Sequence, residues 1–123
     1  MIIRVFLFLA LSFSYFVSAE QISIMSYNLN NLFDAKDDVG KDDKAYLPIE
    51  FKNNDDHIMG CLQVNNSKWR NECLFLDWSE EVVQKKISNI SDLLISMGES
   101  QPDIIAIQEI ENLNVLRMLF RKI

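Results

Sequence analysis

The sequence predicts an α/β fold, namely the start of a layered α/β sandwich in the order strand, helix, strand, helix. Two short apolar runs, residues 21–28 and 104–107, have the length and composition of strands. Between and after them, apolar residues recur every three or four positions, which is the spacing of amphipathic helices. Parallel strands joined by a helix place their carboxyl ends at one edge of a sheet, so the polar residues there converge.

Residues 1–19 have the three parts of a secretory signal peptide. Arg4 belongs to a short basic start, residues 5–17 form an apolar run, and Val17-Ser18-Ala19 is a small-residue cleavage pattern. The apolar run is short for a membrane span, so we favour cleavage over a membrane anchor. We therefore expect an exported protein, periplasmic or extracellular, with Glu20 opening the mature chain and no stable membrane anchor remaining.

The net charge argues against one class of nucleic-acid-binding protein. It is −6 for the whole chain, and it becomes −7 on removal of residues 1–19 because Arg4 is the only charged residue among them. An acidic surface does not attract nucleic acid over long distances, which disfavours a protein that simply coats DNA. A nuclease remains compatible, because a bound divalent cation offsets local carboxylate charge.

The first strand is expected at residues 21–28, where apolar residues occur on both faces. This pattern is typical of a central strand that is buried on both sides. The second strand is the unbroken run Ile104-Ile105-Ala106-Ile107, bounded by Pro102 and Glu109, and it is also expected to be buried and parallel.

Residues 34–72 predict a long acidic loop. Its aspartates are Asp37, Asp38, Asp42, Asp43, Asp55 and Asp56. No Asp-x-Asp-x-Asp-Gly register with a closing glutamate fits residues 34–43, so we favour a solvated acidic loop over a calcium loop. Four aromatic residues indicate that parts of this region pack back onto the domain, namely Phe51, Trp69, Phe75 and Trp78.

Two cysteines, Cys61 and Cys73, predict one disulfide, which we favour over two free thiols in an exported chain. A zinc site is disfavoured, because the only histidine is His57 and no Cys-x-x-Cys pair occurs. We expect His57 to be a surface loop residue.

Two helices complete the pattern. Asp77 followed by Glu80 fits a helix-capping pattern, an apolar stripe runs from Val83 to Met97, and Gly98 ends the helix. A second amphipathic helix follows Glu109, with Leu113, Leu116, Leu119 and Phe120 on its apolar face.

Two segments resemble motifs of the endonuclease/exonuclease/phosphatase superfamily. Ser26-Tyr27-Asn28-Leu29-Asn30-Asn31-Leu32-Phe33-Asp34 is similar to its opening strand motif, and Gln101-Pro102-Asp103-Ile104-Ile105-Ala106-Ile107-Gln108-Glu109-Ile110-Glu111-Asn112 resembles its second motif. The chain looks most like the extracellular nuclease branch. The resemblance covers the mature part of the chain, so it implies that residues 20–123 are the N-terminal part of such a domain.

The resemblance also implies a metal site. Glu109 would be the carboxylate that holds Mg²⁺ or Mn²⁺, and Asn28 would contact the metal or the scissile phosphate. Asn30 stands where many relatives carry an acidic residue, and Gln108 is the last residue before Glu109; these two would contact the substrate phosphate or support the ligands. Glutamate suits Mg²⁺ because it is a hard oxygen ligand.

The expected function is a metal-dependent phosphodiester hydrolase, most simply an exported nuclease that is present here as an N-terminal fragment. The later family motifs, Asp-x-Asn, Asp-Phe-Asn and Ser-Asp-His, do not occur, and Asp56-His57 lies in the wrong place to be the last of them. The substrate would be nucleic acid or another phosphodiester. The alternatives are an inactive truncated product, a phosphatase or phospholipid phosphodiesterase of the same superfamily, and a small secreted binding module closed by Cys61 and Cys73.

Overall fold

A computed structural model describes residues 20–123, and the predicted signal peptide, residues 1–19, lies outside the described residues. The elements are β1 (Ile24–Leu32), α1 (Asp55–Leu62), α2 (Ser67–Phe75), α3 (Glu80–Ser96), β2 (Ile104–Ile110) and α4 (Leu113–Phe120). Short 3₁₀ turns occur at Lys44–Tyr46, Ile49–Phe51 and Gly98–Ser100. The two strands form a parallel sheet, so the predicted α/β class is confirmed. None of the helices in residues 20–123 is both long enough and apolar enough to cross a membrane.

The core lies on one face of the two-stranded sheet. Leu29 and Leu32 of β1 pack against the apolar stripe of α3 and the inner face of α4. The helix residues of this core are Val83, Ile87, Ile90, Leu94, Val115 and Leu119. Within residues 20–123 the opposite sheet face is open, because Ile24 is 69% exposed and Ile104 is 51% exposed. The prediction of strands buried on both faces is therefore wrong for the described part of the chain.

The first strand lies later in the chain than predicted. It begins at Ile24 instead of residue 21, and it continues past Asn28 to Leu32. The sequence pattern ends at Asn28 because a run of polar residues follows, but Leu32 is fully buried and pairs with Ile110 of β2. Asn28 is consequently inside the strand and not beyond its end.

The start of α3 also differs from the prediction. Its N-cap is Ser79, whose hydroxyl oxygen accepts a hydrogen bond from the backbone N–H of Val82. Asp77, the predicted cap, accepts a hydrogen bond from the backbone N–H of Ile49 at 3.1 Å and so ties the preceding segment down. The helix ends at Ser96, just before Gly98, which adopts a φ of +51°.

The predicted long loop over residues 34–72 contains two helices, so that prediction is wrong for its second half. Asn54 caps α1 by accepting from the N–H of His57, and Asn66 caps α2 by accepting from the N–H groups of Lys68 and Trp69. Both helices are short and weakly amphipathic, which is why the hydrophobic spacing does not reveal them. The capping residues Asn54 and Asn66 are the sequence feature that could have indicated where these helices begin.

Cys61 and Cys73 form the predicted disulfide, which joins α1 to α2. His57 lies beside it in α1, with its Nε2 2.9 Å from the carbonyl oxygen of Cys73 and 3.2 Å from the Cys61 sulfur. His57 is only 9% exposed, so the prediction of a surface loop residue is wrong. Because both sulfur atoms are in the disulfide, this cluster offers no thiolate to a metal.

Aromatic packing attaches the segment after β1 to the core. The rings of Phe33 and Tyr46 stack with centroids 4.0 Å apart, and Tyr46 meets Trp78 edge to face at 5.2 Å. The indole N–H of Trp78 donates to the carbonyl oxygen of Phe33. Of the four aromatics expected to pack back, only Trp78 does; the three others are exposed, namely Phe51 (61%), Trp69 (62%) and Phe75 (70%).

The acidic segment after β1 is only partly solvated. Asp37 and Asp42 are exposed as predicted, but Asp34 and Asp43 are buried, at 4% and 1% exposure. The prediction of a solvated acidic loop is therefore wrong for these two side chains. Asp34 is held by its neighbours, since its carboxylate accepts from the N–H of Lys36 and from the side-chain amide of Asn114.

Candidate active site

The candidate site lies at a bulge where β1 passes the end of β2. Asn28 pairs with Gln108 and Leu32 pairs with Ile110, so a step of four residues in β1 matches a step of two in β2. The extra residues are accommodated by Asn30 and Asn31, which adopt left-handed backbone angles of φ +51° and +63°. Asparagine tolerates this conformation better than most residues, because its short side chain hydrogen-bonds locally. The run of asparagines after Tyr27 thus permits the bulge.

Glu109 adopts the same left-handed conformation, with φ +57°, directly across from the bulge. Asn30, Asn31 and Glu109 are the only non-glycine residues of positive φ in residues 20–123, and all three lie at this point. A left-handed glutamate costs about 1–2 kcal/mol relative to an ordinary conformation. Strain of this kind persists only where surrounding contacts fix it, and it clusters at functional sites.

Hydrogen bonds fix the Glu109 carboxylate from two sides. The side-chain Nδ2 of Asn28 donates to Glu109 Oε1 at 2.7 Å, and the backbone N–H of Asn31 donates to Oε2 at 3.1 Å. The Oδ1 of Asn28 accepts from the backbone N–H of Asn30 at 2.7 Å. That contact sets the orientation of the Asn28 amide, because a flipped amide would place its NH₂ against another N–H. Asn28 therefore presents its donor side to Glu109.

The structure brings two of the four predicted site residues into direct contact, namely Asn28 and Glu109. Asn30 joins them through its backbone N–H, and its side chain is exposed. Gln108 is turned elsewhere, since its side-chain amide donates to the hydroxyl of Ser26 at 2.7 Å. All four predicted residues are solvent-exposed, so the site is open to ligands.

Lys86 of α3 also belongs to the site, although no sequence pattern predicts it. Its Nζ donates to the carbonyl oxygens of Asn30 and Asn31, at 2.5 and 3.1 Å, and it lies 5.1 Å from the centre of a Trp78 ring. These carbonyls belong to the bulge, so Lys86 holds it from the helix side. One sequence feature could have indicated its role. Lys86 lies three residues after the buried Val83, at the edge of the apolar stripe.

Electrostatics at the site follow from partial burial among acidic groups. Burial lowers the pKa of Lys86, and the negative charge of Glu109 opposes that effect. Burial also raises the pKa of Tyr46; the charges of Glu72 and Glu109 add to the increase, and a hydrogen bond to the side chain of Asn31 opposes it. The raised pKa keeps Tyr46 a neutral phenol beside the bulge at neutral pH.

The donor set of this site suits a hard divalent cation. Each oxygen of Glu109 accepts one hydrogen bond, which leaves lone pairs on both for a metal, and the carboxylate is exposed. Mg²⁺ and Mn²⁺ prefer such oxygen ligands, and Mg²⁺ commonly binds through one or two carboxylates while it keeps several waters. The residues present therefore fit the predicted metal.

Comparisons with known proteins identify no relative of the chain. No family model, no curated protein and no solved structure matches the chain. The superfamily assignment consequently stays a prediction from the two sequence motifs.

Proposed function

We propose that the chain carries the metal-binding half of a phosphodiesterase site, in which Glu109 binds Mg²⁺ or Mn²⁺ and the substrate is nucleic acid or a related phosphodiester. The observation that carries this proposal is the strained, exposed carboxylate of Glu109, which adopts φ +57° and is held by Asn28 and the N–H of Asn31. A carboxylate that served only solubility would have no need of this arrangement.

Each residue has a separate task in this proposal. Glu109 supplies the anionic oxygen ligand, and Asn28 orients it through Oε1. The side-chain amide of Asn28 also offers a donor to a phosphate oxygen without adding negative charge. Asn30 and Asn31 build the bulge and Lys86 holds its carbonyls, so these three residues position the ligand. When bound, the metal supplies charge neutralisation for phosphoryl oxygens.

We expect turnover at this site to be slow. Phosphodiester hydrolysis needs a group that activates water, and His57, the only histidine, is buried beside the disulfide. We therefore expect the 123-residue chain to bind the metal but to hydrolyse phosphodiesters slowly at best. A phosphomonoester or a lipid phosphodiester is the alternative substrate, because Asn28 and Glu109 do not distinguish these classes.

We also propose an exported location, periplasmic or extracellular. The Cys61–Cys73 disulfide supports it, because disulfides persist in oxidising compartments. The signal-peptide pattern of residues 1–19 supports it independently from the sequence.

Titration with Mn²⁺ tests the metal proposal. Electron paramagnetic resonance measures the binding, on the chain produced from its full sequence. We expect saturable binding that Glu109→Gln weakens at least tenfold, since glutamine keeps the size but loses the charge. Glu99→Gln is the matched control, because Glu99 is exposed in a 3₁₀ turn and the substitution changes the charge equally. Equal Mn²⁺ affinity in Glu109→Gln and the native chain would refute the proposal.

Hydrolysis of plasmid DNA and of bis(p-nitrophenyl) phosphate tests whether the site cleaves phosphodiesters. We expect at most slow cleavage that requires Mg²⁺ or Mn²⁺ and disappears with Glu109→Gln. Cleavage that persists in EDTA, or that survives Glu109→Gln, would show that a different site is responsible.

A further inference from the structure

A second group of carboxylates lies next to the candidate active site. It consists of Asp38 and Asp43 from the segment after β1, and Glu111 from the end of β2. One carboxylate oxygen from each of the three residues lies within 4.8 Å of the other two. Glu111 is two residues beyond Glu109, and its backbone N–H donates to the carbonyl oxygen of Leu32, so the group sits where both strands end.

Two oxygens in this group are buried without a partner. Asp43 is 1% exposed, and its Oδ1 has no hydrogen-bond partner in the part of the chain that the structure describes. The same holds for Oε1 of Glu111. Burial of a carboxylate oxygen without a donor or a counter-charge is strongly unfavourable, so an unpartnered oxygen of this kind requires an explanation.

Lysine and arginine do not supply the missing charge. Across residues 20–123 the only ion pair joins Lys68 to Glu72, in α2, and involves none of the three carboxylates. Asp34 adds a fourth negative charge beside them, because its backbone N–H donates to Glu111 Oε2. The cluster therefore gathers four carboxyl groups in a partly buried place, where repulsion between their charged forms is weakly screened.

Each carboxylate is nevertheless held by one oxygen. The backbone N–H of Asp38 donates to Asp43 Oδ2 at 2.8 Å, and that of Asp34 donates to Glu111 Oε2 at 2.8 Å. The side-chain amide of Asn112 donates to Asp38 Oδ2 at 3.1 Å. In Asp43 and Glu111 the second oxygen is left free and buried, which is how a protein prepares ligands for an ion.

We propose that Asp38, Asp43 and Glu111 bind one Ca²⁺ ion at a site separate from Glu109. Ca²⁺ takes six to eight oxygen ligands at about 2.3–2.6 Å, so ligand oxygens on opposite sides of the ion are up to about 5 Å apart. Three carboxylates within 4.8 Å fit that shell, and their charge favours Ca²⁺ over a monovalent ion. Mg²⁺ is less suited, because it demands near-ideal octahedral geometry and usually keeps several waters.

The ion has a structural consequence for the neighbouring site. Asp38 and Asp43 lie in the segment that follows the bulge of β1, whereas Glu111 continues the strand that carries Glu109. Ca²⁺ bound to all three fastens this segment to the end of β2. It thereby stabilises the strand end on which the Glu109 carboxylate is held.

Isothermal titration of CaCl₂ into the EDTA-stripped full chain tests this proposal, with Asp43→Asn as the variant. We expect one Ca²⁺ per chain and at least a tenfold weaker affinity in Asp43→Asn. Asp42→Asn is the matched control, because the adjacent Asp42 is exposed and the charge change is the same. Glu109→Gln is the second control, and we expect it to leave Ca²⁺ affinity within twofold. Titration that shows no saturable Ca²⁺ binding overturns the proposal, as does equal sensitivity to Asp42→Asn and Asp43→Asn.

The melting temperature gives an independent test. If Asp43 is a Ca²⁺ ligand, its substitution should shift the melting temperature in a direction that loss of a merely structural aspartate would not. Without Ca²⁺, Asp43→Asn should raise the melting temperature above that of the native chain, because it removes like-charge repulsion. With Ca²⁺, the native chain should gain several degrees and Asp43→Asn should gain little. Asp38→Asn, at a half-buried position, repeats the comparison if Asp43→Asn does not fold. Loss of Ca²⁺ binding in Glu109→Gln would show a single shared site and so refute separate sites.

Discussion

From the left-handed backbone at Glu109 we predict how substitutions there change the free energy of unfolding. This prediction does not depend on any activity. Replacement by alanine or by glycine removes the carboxylate and its two hydrogen bonds, from Asn28 Nδ2 and the N–H of Asn31. Alanine retains the unfavourable φ of +57°, whereas glycine adopts it without a Cβ penalty. The two variants therefore differ mainly in backbone strain.

The magnitude follows from two opposing terms. Relief of a left-handed non-glycine residue stabilises by about 1–2 kcal/mol, and the greater flexibility of glycine in the unfolded chain costs about 0.5–1 kcal/mol. Glu109→Gly should therefore be more stable than Glu109→Ala by about 0.5–1 kcal/mol. Gln108 is the matched position, because it precedes Glu109 in β2 and has an ordinary negative φ. There the order reverses, and Gln108→Gly should be less stable than Gln108→Ala by about 0.5–1 kcal/mol.

Urea unfolding, followed by far-ultraviolet circular dichroism and by tryptophan fluorescence, measures all four variants. Coincident transitions by the two probes establish two-state behaviour, which permits comparison of free energies. The quantity of interest is the glycine-minus-alanine difference at residue 109 relative to that at residue 108, expected at about 1–2 kcal/mol. If glycine is worse than alanine at both positions by the same amount, the strain argument for Glu109 fails.

Three further predictions concern the elements around the site. Lys86→Met should destabilise the fold by about 1–2 kcal/mol in urea unfolding, because it leaves the carbonyls of Asn30 and Asn31 without their donor, whereas Lys85→Met at the exposed neighbouring position should change it by under about 0.5 kcal/mol. Reduction of the Cys61–Cys73 disulfide, which spans 12 positions, should lower stability by about 2–3 kcal/mol, and an unchanged urea midpoint in dithiothreitol would contradict this. Lys52 is buried with its ammonium on the carbonyl oxygens of Ala45 and Glu72, and burial lowers its pKa from 10.5 to about 8. Because the unfolded chain then binds more protons than the folded chain between pH 8 and 10.5, stability should rise across that window, by about 1–2 kcal/mol once partial solvation is allowed for. Urea unfolding from pH 7.5 to 10 should show this rise in the native chain and not in Lys52→Met.

The sequence predicts the secondary structure well where burial sets a repeating pattern. The stripe from Val83 to Leu94 locates α3, and the apolar run from Ile104 locates β2, because both contact one continuous core. Predictions fail where polar side chains set the local structure. Asn54 and Asn66 begin helices that bury little, and a polar run conceals the second half of β1.

The candidate site shows the same division. Asn28 and Glu109 meet as predicted, at 2.7 Å, but both lie inside their strands and not at the strand ends from which the prediction was made. The sequence does not predict that this contact depends on a two-residue bulge, because residue spacing does not specify backbone dihedral angles. It likewise misses Lys86, because a lysine on a helix is ordinarily a solvated residue.

The Ca²⁺ site that we propose beside β1 matches no sequence motif. Residues 34–43 fail the EF-hand register, and on that ground the sequence favours a solvated loop. The fold nevertheless brings Glu111, some seventy residues later, against Asp38 and Asp43. The proposed ligands come from two distant segments and have no sequence spacing to recognise, so the proposal rests on burial and on unpartnered oxygens. Glu109 of β2 and Glu111, the residue after β2, thus lie in two different environments. Glu109 is exposed and fixed by amide donors, which suits the Mg²⁺ or Mn²⁺ ligand that we propose it to be. Glu111 is half-buried among aspartates, as a ligand for a retained structural ion should be.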